Sequence, residues 1–462
     1  MSLDFHSSSL ESSRHTSASL SEAVLDSSSF DRIRASLPEQ YRAHLDELRK
    51  NIFAFCDEFG IPREALSNKE TFRIELTSKK IPPARMVEAV SLFRRFEYLI
   101  VHKELFGETP SEYLEEAERL YNLYEQYTAQ VELLKQMGIL HPRREQLSGR
   151  GQRLANLFQF LLPFGKKKRP EQKETKEVLC ITGIDGKEYP LPTLEEIATH
   201  LCEQRELFAT KRDQGFTKLL LVPFGMSLDA LCETFKQFLL SYKQSYPDFD
   251  LYTNQPLWAW GEGYSGADTG NPPKIVYNPK SFDKDHHKGR TKTQILKEQT
   301  VTPDSFPGWR IHLFQSPDPT DSHSPGFAPI PRQGQGTTHG KETPRPSLEA
   351  GKTPNDYLSI LQEAQDDPTS PYHGESGLAP EDWILAFMTH LTETGEPLDD
   401  YVGDKESITY LTGYFFPSCA IDGSVFVLYA YWSRDNRQAC LIGDGRPGHP
   451  NGSIGVRTSV IV

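Results

Sequence analysis

The sequence has little cysteine, no long apolar run and no excess of positive charge. Six cysteines in 462 residues, none of them in a C-x-x-C pair, are too few for a disulfide framework. They indicate reduced, buried thiols and a cytoplasmic protein. No run approaches the roughly eighteen apolar residues of a membrane-spanning helix, so no such helix is predicted. The formal net charge of −13 argues against nucleic acid as the main partner.

The motifs of several common catalytic sites are also missing. The chain contains no G-x-x-x-x-G-K-[ST] phosphate loop, no G-x-S-x-G elbow and no H-E-x-x-H zinc motif. Asp285, His286 and His287 are consecutive in a polar stretch, where we predict a solvated loop rather than a metal site. Asp399 and Asp400 are predicted to be surface acids beside a helix, with a calcium site as the alternative. No catalytic residue, metal or cofactor is predicted.

What is present is a hydrophobic pattern that predicts an α+β protein of several domains. The predicted segments are a disordered Ser-rich tail over 1–30, a helical bundle over 31–140, a basic linker or amphipathic segment over 141–177, a mixed α/β region over 178–315, a Pro/Gly-rich loop over 316–352 and a β-rich domain over 353–462.

Local signals place single elements inside these segments. A capping box that begins at Thr109, with proline at the first helical position, predicts a helix that ends at Gly138. A second capping box, Thr193 with Glu196, predicts another helix. Asp185-Gly186 between two apolar runs predicts a β-hairpin.

Segment 141–169 combines an apolar run with flanking cations. The flanking residues that could contact an anionic surface are Arg143, Arg144, Lys166, Lys167, Lys168 and Arg169. Contact with a membrane surface or an acidic partner is one interpretation. A solvated linker whose apolar residues dock on the helical bundle is the other.

Beyond Gly423 the chain has no lysine, glutamate or methionine. Residues 424–432 alternate with both faces apolar, which predicts a central strand with Trp432 in the core. A second alternating strand follows, and Gly455 within it indicates a close backbone approach. The small and polar residues between these strands are typical of an adaptable binding surface, although an ordinary hairpin end is the alternative.

The segments W-S-R-D-N-R-Q-A-C-L and G-D-G-R-P-G-H-P-N-G-S-I-G-V-R resemble the C-terminal variable segment of diversity-generating retroelement target proteins. This resemblance implies a C-type-lectin-like domain over 353–462, related to the formylglycine-generating-enzyme fold. In these systems template adenines are randomised, typically in AAC or AAT codons, and codons that end in C or T never specify Lys, Glu or Met. The alternative explanation is a short β-rich tail that happens to lack long charged side chains.

The resemblance further implies a non-enzymatic protein that binds an unknown protein or small molecule. Its variable, ligand-binding residues would be Tyr431, Ser433, Asp435, Asn436, Gly443, Asp444, Gly445, Gly448, His449, Asn451 and Gly452. The fixed scaffold would be Trp432, Gly455, Val456 and Arg457, the last in a buried or half-buried polar contact. Two alternatives stay open, a hydrolase-like enzyme with a site in 250–400 and a membrane-peripheral scaffold protein.

Overall fold

The computed structural model describes residues 27–37, 39–67, 75, 79, 110–146, 175–259, 265–302, 305–319, 321, 324–401, 408–417 and 425–462. The chain divides into two compact units, Met1–Tyr121 and Asn122–Val462. Helices and strands both occur, which confirms the α+β class. No helix in the described part of the chain combines the length and the apolar character that crossing a bilayer requires.

The described residues of the first unit include the helices α1 (Ser27–Ser36) and α2 (Glu39–Glu58) and a short 3-10 helix (Arg63–Ser67). Phe30 of α1 is buried, and the guanidinium carbon of Arg49 lies 4.2 Å from the centre of its ring. Because this packing orders α1, helix begins at Ser27, inside the segment predicted to be a disordered tail. Most of that tail and residues 80–109 of the predicted helical bundle lie outside the described residues.

The remaining helices of the described chain mostly begin at the capping residues and prolines that mark their sequences. They are α3 (Pro110–Gln136), α4 (Leu194–Glu203), α5 (Arg205–Asp213), α6 (Leu228–Ser245), α7 (Lys292–Val301), α8 (Pro354–Asp366) and α9 (Pro380–Thr394). The Thr193 side chain accepts a hydrogen bond from the Glu196 N–H, and the Glu196 carboxylate accepts one in return, as the capping box predicts. Gly138, just beyond α3, has the positive φ of +68° that favours glycine at a helix end.

In the part of the chain that the structure describes, the strands form three sheets and two small pairs. In chain order they are β1 (His141–Gln146), β2 (Thr175–Thr182), β3 (Glu188–Pro190), β4 (Phe216–Val222), β5 (Leu257–Ala259), β6 (Val276–Tyr277), β7 (Arg310–Gln315), β8 (Thr338–His339), β9 (Arg345–Pro346), β10 (Glu375–Gly377), β11 (Asp400–Tyr401), β12 (Ile408–Tyr410), β13 (Tyr414–Phe415), β14 (Val427–Ser433), β15 (Gln438–Gly445), β16 (Ile454–Val456) and β17 (Thr458–Ile461). The sheet orders are β1-β2-β3, β10-β17-β7-β4 and β16-β12-β14-β15-β5, with β11 also paired to β14. The two pairs are β6 with β13 and β8 with β9.

Both ends of the predicted basic linker are strands. β1 and β2 pair antiparallel, with His141 opposite Cys180 and Gln146 opposite Thr175. Residues 147–174, which include Lys166, Lys167, Lys168 and Arg169, lie outside the described part, so the membrane contact stays a prediction.

The C-terminal strands complete sheets that begin much earlier in the chain. β17 lies between β10 and β7, and β7 pairs with β4. The segments predicted as 178–315, 316–352 and 353–462 therefore belong to one compact unit. Even the Pro/Gly-rich segment contributes to it, because Arg345 and Leu348 are buried.

Helix α9 lies at the centre of this unit. Its residues from Pro380 to Thr389 are all buried, and it packs on α6 and β4. The Phe387 ring lies 5.9 Å from the Trp432 ring of β14, so α9 contacts both large sheets.

The two faces of β14 pack against different clusters, as its alternation predicts. Leu428, Ala430 and Trp432 lie in the main core. Val427 lies in a second cluster, to which Tyr429 is added as a partly buried neighbour.

Candidate functional site

The two polar loops predicted to form one binding surface lie at opposite ends of the β14–β15 hairpin. The chain turns through 434–437 after β14, and loop 446–453 begins where β15 ends. At about 3.3 Å per residue, the 8 residues of β15 hold these loops roughly 25 Å apart. They therefore form two separate surfaces, which we name the hairpin turn (434–437) and the C-terminal loop (446–453).

The predicted variable residues divide by exposure. The exposed ones are Asp435 and Asn436 in the hairpin turn and Gly448, His449, Asn451 and Gly452 in the C-terminal loop. Tyr431 is partly buried, and Ser433, Gly443 and Gly445 are buried strand residues. Asp444 also lies in β15.

Gly443, Asp444 and Gly445 belong to β15 and not to the loop where their sequence placed them. Gly445 pairs with Val427 across the hairpin. A Cβ atom at Gly445 would lie 2.6 Å from the Val427 carbonyl oxygen and 3.0 Å from the Tyr410 ring. The glycine there allows a close approach between strands, so it is unsuited to free variation.

The residues predicted as scaffold are buried. Trp432 is 3% exposed, and its ring lies 5.2 Å from that of Phe249. A Cβ at Gly455 would lie 2.5 Å from the Ile330 side chain, which is the close approach that its position in a strand predicts. Val456, next to it, is also buried.

Arg457 forms a buried ion pair with Asp399. The distance from Nη2 to Oδ1 is 2.6 Å, and the second oxygen of Asp399 accepts a hydrogen bond of 2.9 Å from the Trp383 indole N–H. Asp400 is likewise buried and accepts a hydrogen bond of 2.7 Å from Arg434 Nε. Both aspartates were expected at the surface, and each is instead buried because an arginine of the terminal segment neutralises it.

The Asp285–His287 stretch is an exposed loop, as predicted. His286 Nδ1 lies 2.8 Å from the Asp283 carboxylate, and His287 Nδ1 accepts a hydrogen bond from the Gly289 N–H at 2.9 Å. Across the described ranges, no group of three or more His, Cys, Asp or Glu residues is placed to hold a metal ion.

Residues 261–266 read G-E-G-Y-S-G, the spacing of a dinucleotide-binding loop. Such a loop works by joining a strand directly to a helix whose N-terminus faces the pyrophosphate. β5 precedes it, but residues 265–270 form turns and a bend, and α7 begins only at Lys292. A helix therefore does not directly follow these glycines, as a dinucleotide-binding loop requires.

The structure brings together a Ser–His–Asp arrangement that no sequence motif indicates. His312 Nδ1 lies 2.8 Å from Ser459 Oγ, and His312 Nε2 lies 3.1 Å from Asp382 Oδ1. The side chains of His312 and Asp382 are 0% and 1% exposed, and Ser459 is 0% exposed, so no substrate reaches them. Burial alone would raise the pKa of Asp382, but His312 and Arg310 hold it below its ordinary value. The arrangement is a satisfied polar core and not a hydrolase triad.

One face of the six-stranded sheet carries a row of aromatic residues. Trp258 of β5 lies opposite Cys440 of β15, which lies opposite Tyr431 of β14, so the three side chains share a face. The Tyr431 ring lies 6.1 Å from the ring of Tyr429 and 6.1 Å from that of Tyr401. We name these four rings, with Trp258 at one end, the aromatic face.

The aromatic face is partly open to solvent. The Trp258 residue is 43% exposed, and the three tyrosines are partly buried. Burial raises the pKa of the Cys440 thiol to about 11, so this cysteine is a packing residue and not a nucleophile. The hairpin turn directly follows Ser433, at the Tyr431 end of the face.

No protein-family model matches this chain, and neither a curated protein nor a solved structure matches it. Its function must therefore be inferred from its own geometry. The aromatic face is open to solvent chiefly at Trp258, its three tyrosines are partly buried, and the adjoining turn is exposed. The Ser–His–Asp group is buried and therefore inaccessible. The loop histidines, His286 and His287, are not arranged as a comparable surface.

Proposed function

We propose that this protein is a non-enzymatic recognition protein that binds a protein ligand through the aromatic face and the hairpin turn. The observation that carries the proposal is the row of Trp258, Tyr401, Tyr429 and Tyr431 on one side of a six-stranded sheet. The C-type-lectin-like architecture that the sequence resembles would use its terminal strands in the same way.

The residue types of the aromatic face suit protein recognition. Tyr and Trp offer a large, rigid contact area together with a polar group, at a low cost in side-chain entropy. They are enriched at protein interfaces for this reason. Because the Trp258 residue is 43% exposed, burial of its apolar surface against a partner is favourable. Because the surface is a sheet face with projecting rings, it fits a protein better than a small molecule, which binds in a concave pocket.

The hairpin turn supplies the polar rim that such an interface needs. Arg434, Asp435, Asn436 and Arg437 are all exposed. Arg434 and Arg437 are held in place by carboxylates, Asp400 for the first and Asp250 for the second. Charged residues at a rim contribute to orientation and specificity more than to affinity.

The binding test uses a phage-displayed peptide library selected against the full chain. Peptides that bind the wild type should bind Trp258→Ala at least about tenfold more weakly, because hot-spot aromatics dominate interface energies. The matched control is Tyr246→Ala, since Tyr246 is also exposed but lies in the turn after α6. Peptides whose affinity is unchanged by Trp258→Ala but reduced by Tyr246→Ala would contradict the proposal.

We further propose that any diversification falls on the exposed residues of the terminal segment. Asp435, Asn436, His449 and Asn451 are exposed and encodable by randomised codons, whereas Gly445 is fixed by packing. The test is genomic, namely a neighbouring reverse transcriptase gene and a near-copy of the 3′ end of this gene. Differences between the two copies should fall at the exposed codons, and a difference at the Gly445 codon would count against this assignment.

A further inference from the structure

A cleft of about 220 Å³ lies beside the four-stranded sheet. It is bounded by β7, β9, the segment between residues 316 and 337, and the crossover from β16 to β17. Four prolines line it together with Ile330 and Leu348, and we name it the proline cleft. Its wall prolines are Pro317, Pro319, Pro329 and Pro331. Gln335 and Thr337 in its lining are exposed, so the cleft opens to solvent.

Arg345 is held rigidly in the lining of this cleft. Its Nε and Nη2 each lie 2.7 Å from a different oxygen of Glu375, and Nη2 lies 3.2 Å from Thr458 Oγ1. This forked pair fixes the guanidinium plane, which a lysine could not do. Within the described residues, the remaining nitrogen, Nη1, has only a long contact of 3.4 Å to the Gln315 side-chain oxygen. That nitrogen is therefore able to donate to a ligand.

Arg345 and Lys211 share one buried carboxylate. Lys211 Nζ lies 2.8 Å from Glu375 and donates to the Pro371 carbonyl oxygen. Burial alone would raise the pKa of Glu375, but Arg345 and Lys211 hold it below its ordinary value, so it is ionised. Burial lowers the pKa of Lys211. The ionised Glu375 therefore pairs with the Arg345 guanidinium, and Lys211 adds a second basic group to this almost fully buried cluster.

Arg457 adds a second unused donor. Its residue is 6% exposed and lines the cleft. Its Nη1 donates to the Ala328 carbonyl oxygen and its Nη2 to Asp399. Its Nε is buried and has no hydrogen-bond partner in the described part of the chain. Buried donors are rarely left without an acceptor, so an acceptor is expected at this position.

We propose that the proline cleft binds a small carboxylic acid as its monoanion. The carboxylate would accept hydrogen bonds from Arg345 and Arg457, and the apolar part would lie against the prolines and Ile330. A carboxylate has two oxygens, one for each of the two guanidinium donors. At about 30 Å³ for each water displaced, the cleft has room for roughly seven waters, which corresponds to a ligand on the order of ten non-hydrogen atoms.

The test uses the full chain and 4-fluorobenzoate, with its binding followed by fluorine NMR. We expect saturable binding that unlabelled benzoate displaces. Benzamide, a neutral molecule of the same shape, should compete at least about tenfold more weakly, because it lacks the charge that guanidinium groups recognise. Binding of benzamide equal to that of benzoate would overturn the proposal, as would stronger displacement by inorganic phosphate. Absence of binding up to about 10 mM, a very weak affinity, would overturn it too.

A pair of matched variants locates the binding. Gln335→Trp places a large ring in the lining of the cleft, at an exposed residue whose replacement leaves the fold intact. Gln333→Trp makes the same exchange two residues away, at an exposed residue outside the lining. The first should weaken 4-fluorobenzoate binding by about tenfold or more, and the second should leave it unchanged. Equal binding by both variants would place the ligand elsewhere and overturn the proposal.

Discussion

Arg457 and Asp399 pair inside the protein at the residue where the chain passes from one sheet to the other. Arg457 lies between β16, which pairs with β12, and β17, which pairs with β7 and β10. Asp399 directly precedes β11, which pairs with β14. The ion pair therefore holds the crossover against the start of another strand, and both sheets depend on it.

Replacing Asp399 with alanine should be strongly destabilising. It leaves the Arg457 guanidinium buried without its carboxylate, which lowers the free energy of unfolding by about 3–5 kcal/mol. Denaturation in urea measures the loss. Asp250→Ala is the control, since Asp250 pairs with Arg437 at 3.5 Å and both side chains are exposed. That change should cost less than about 1 kcal/mol, and equal losses in the two variants would contradict a buried, essential pair.

The glycines of the terminal segment should divide into two classes. Gly445→Ala and Gly455→Ala force a Cβ atom to within 2.6 Å and 2.5 Å of existing atoms, which we expect to cost about 1–3 kcal/mol. Gly448→Ala and Gly452→Ala meet nothing within 4 Å and should stay within about 0.5 kcal/mol of the wild type. Thermal melts of the four variants test this, and a loss at Gly448 as large as that at Gly455 would show that the C-terminal loop is packed.

Trp432→Ala should cost on the order of 3–5 kcal/mol, because it empties a site packed against Phe249 and Phe387. Exchanges of Asp435 or His449 among small and polar residues should change stability by less than about 0.5 kcal/mol. Circular dichroism melts compare the two sets. If the exposed set is as destabilising as Trp432→Ala, those residues are structural and do not form a variable surface.

His390 should make the protein less stable in mild acid. Its pKa is lowered to about 3 by burial, with smaller effects from Arg457 and Lys218, and its Nδ1 accepts a hydrogen bond of 3.0 Å from the Phe327 N–H. In the unfolded chain, the His390 side chain binds a proton with the ordinary histidine pKa of about 6.5. The contribution of neutral His390 to the free energy of unfolding is therefore fully present above about pH 6.5. It is lost as the pH falls toward 3, by up to about 1.4 kcal/mol per pH unit.

The measurement for His390 is the free energy of unfolding from pH 7 to pH 4. His390→Gln should flatten the slope relative to the wild type, because glutamine does not take up this proton. His449→Gln is the control, since His449 is exposed, and it should keep the wild-type slope. Identical slopes in all three proteins would show that His390 is not held neutral by the fold.

Local patterns predicted the parts of the fold that depend on neighbours in sequence. The capping box at Thr193 and the alternation that buries Trp432 are both set within a few residues. Asp399 could not be placed in this way, because its partner Arg457 lies 58 residues away and two adjacent acids are usually solvated. Gly445 was misplaced because glycine also marks turns, whereas here it allows a close contact between strands.

The candidate site was predicted only in part, for the same reason. Tyr431 was identified from the terminal segment, but Trp258 joins it through the parallel pairing of β5 with β15, which no local signal indicates. The Arg345 cluster likewise assembles Lys211 and Glu375 over 164 residues. Pairings of this kind depend on the whole fold.

The position of β17 has a consequence for how the protein is made. It follows every other strand in the chain, yet it lies inside its sheet, between β10 and β7. During synthesis, the edges of β7 and β10 that pair with β17 therefore keep unpaired main-chain groups until residues 458–461 have left the ribosome. Exposed edges of this kind are templates for pairing with other chains. A ribosome that stalls before Thr458 would release an aggregation-prone chain, so protection by a chaperone matters most until residues 458–461 have been translated.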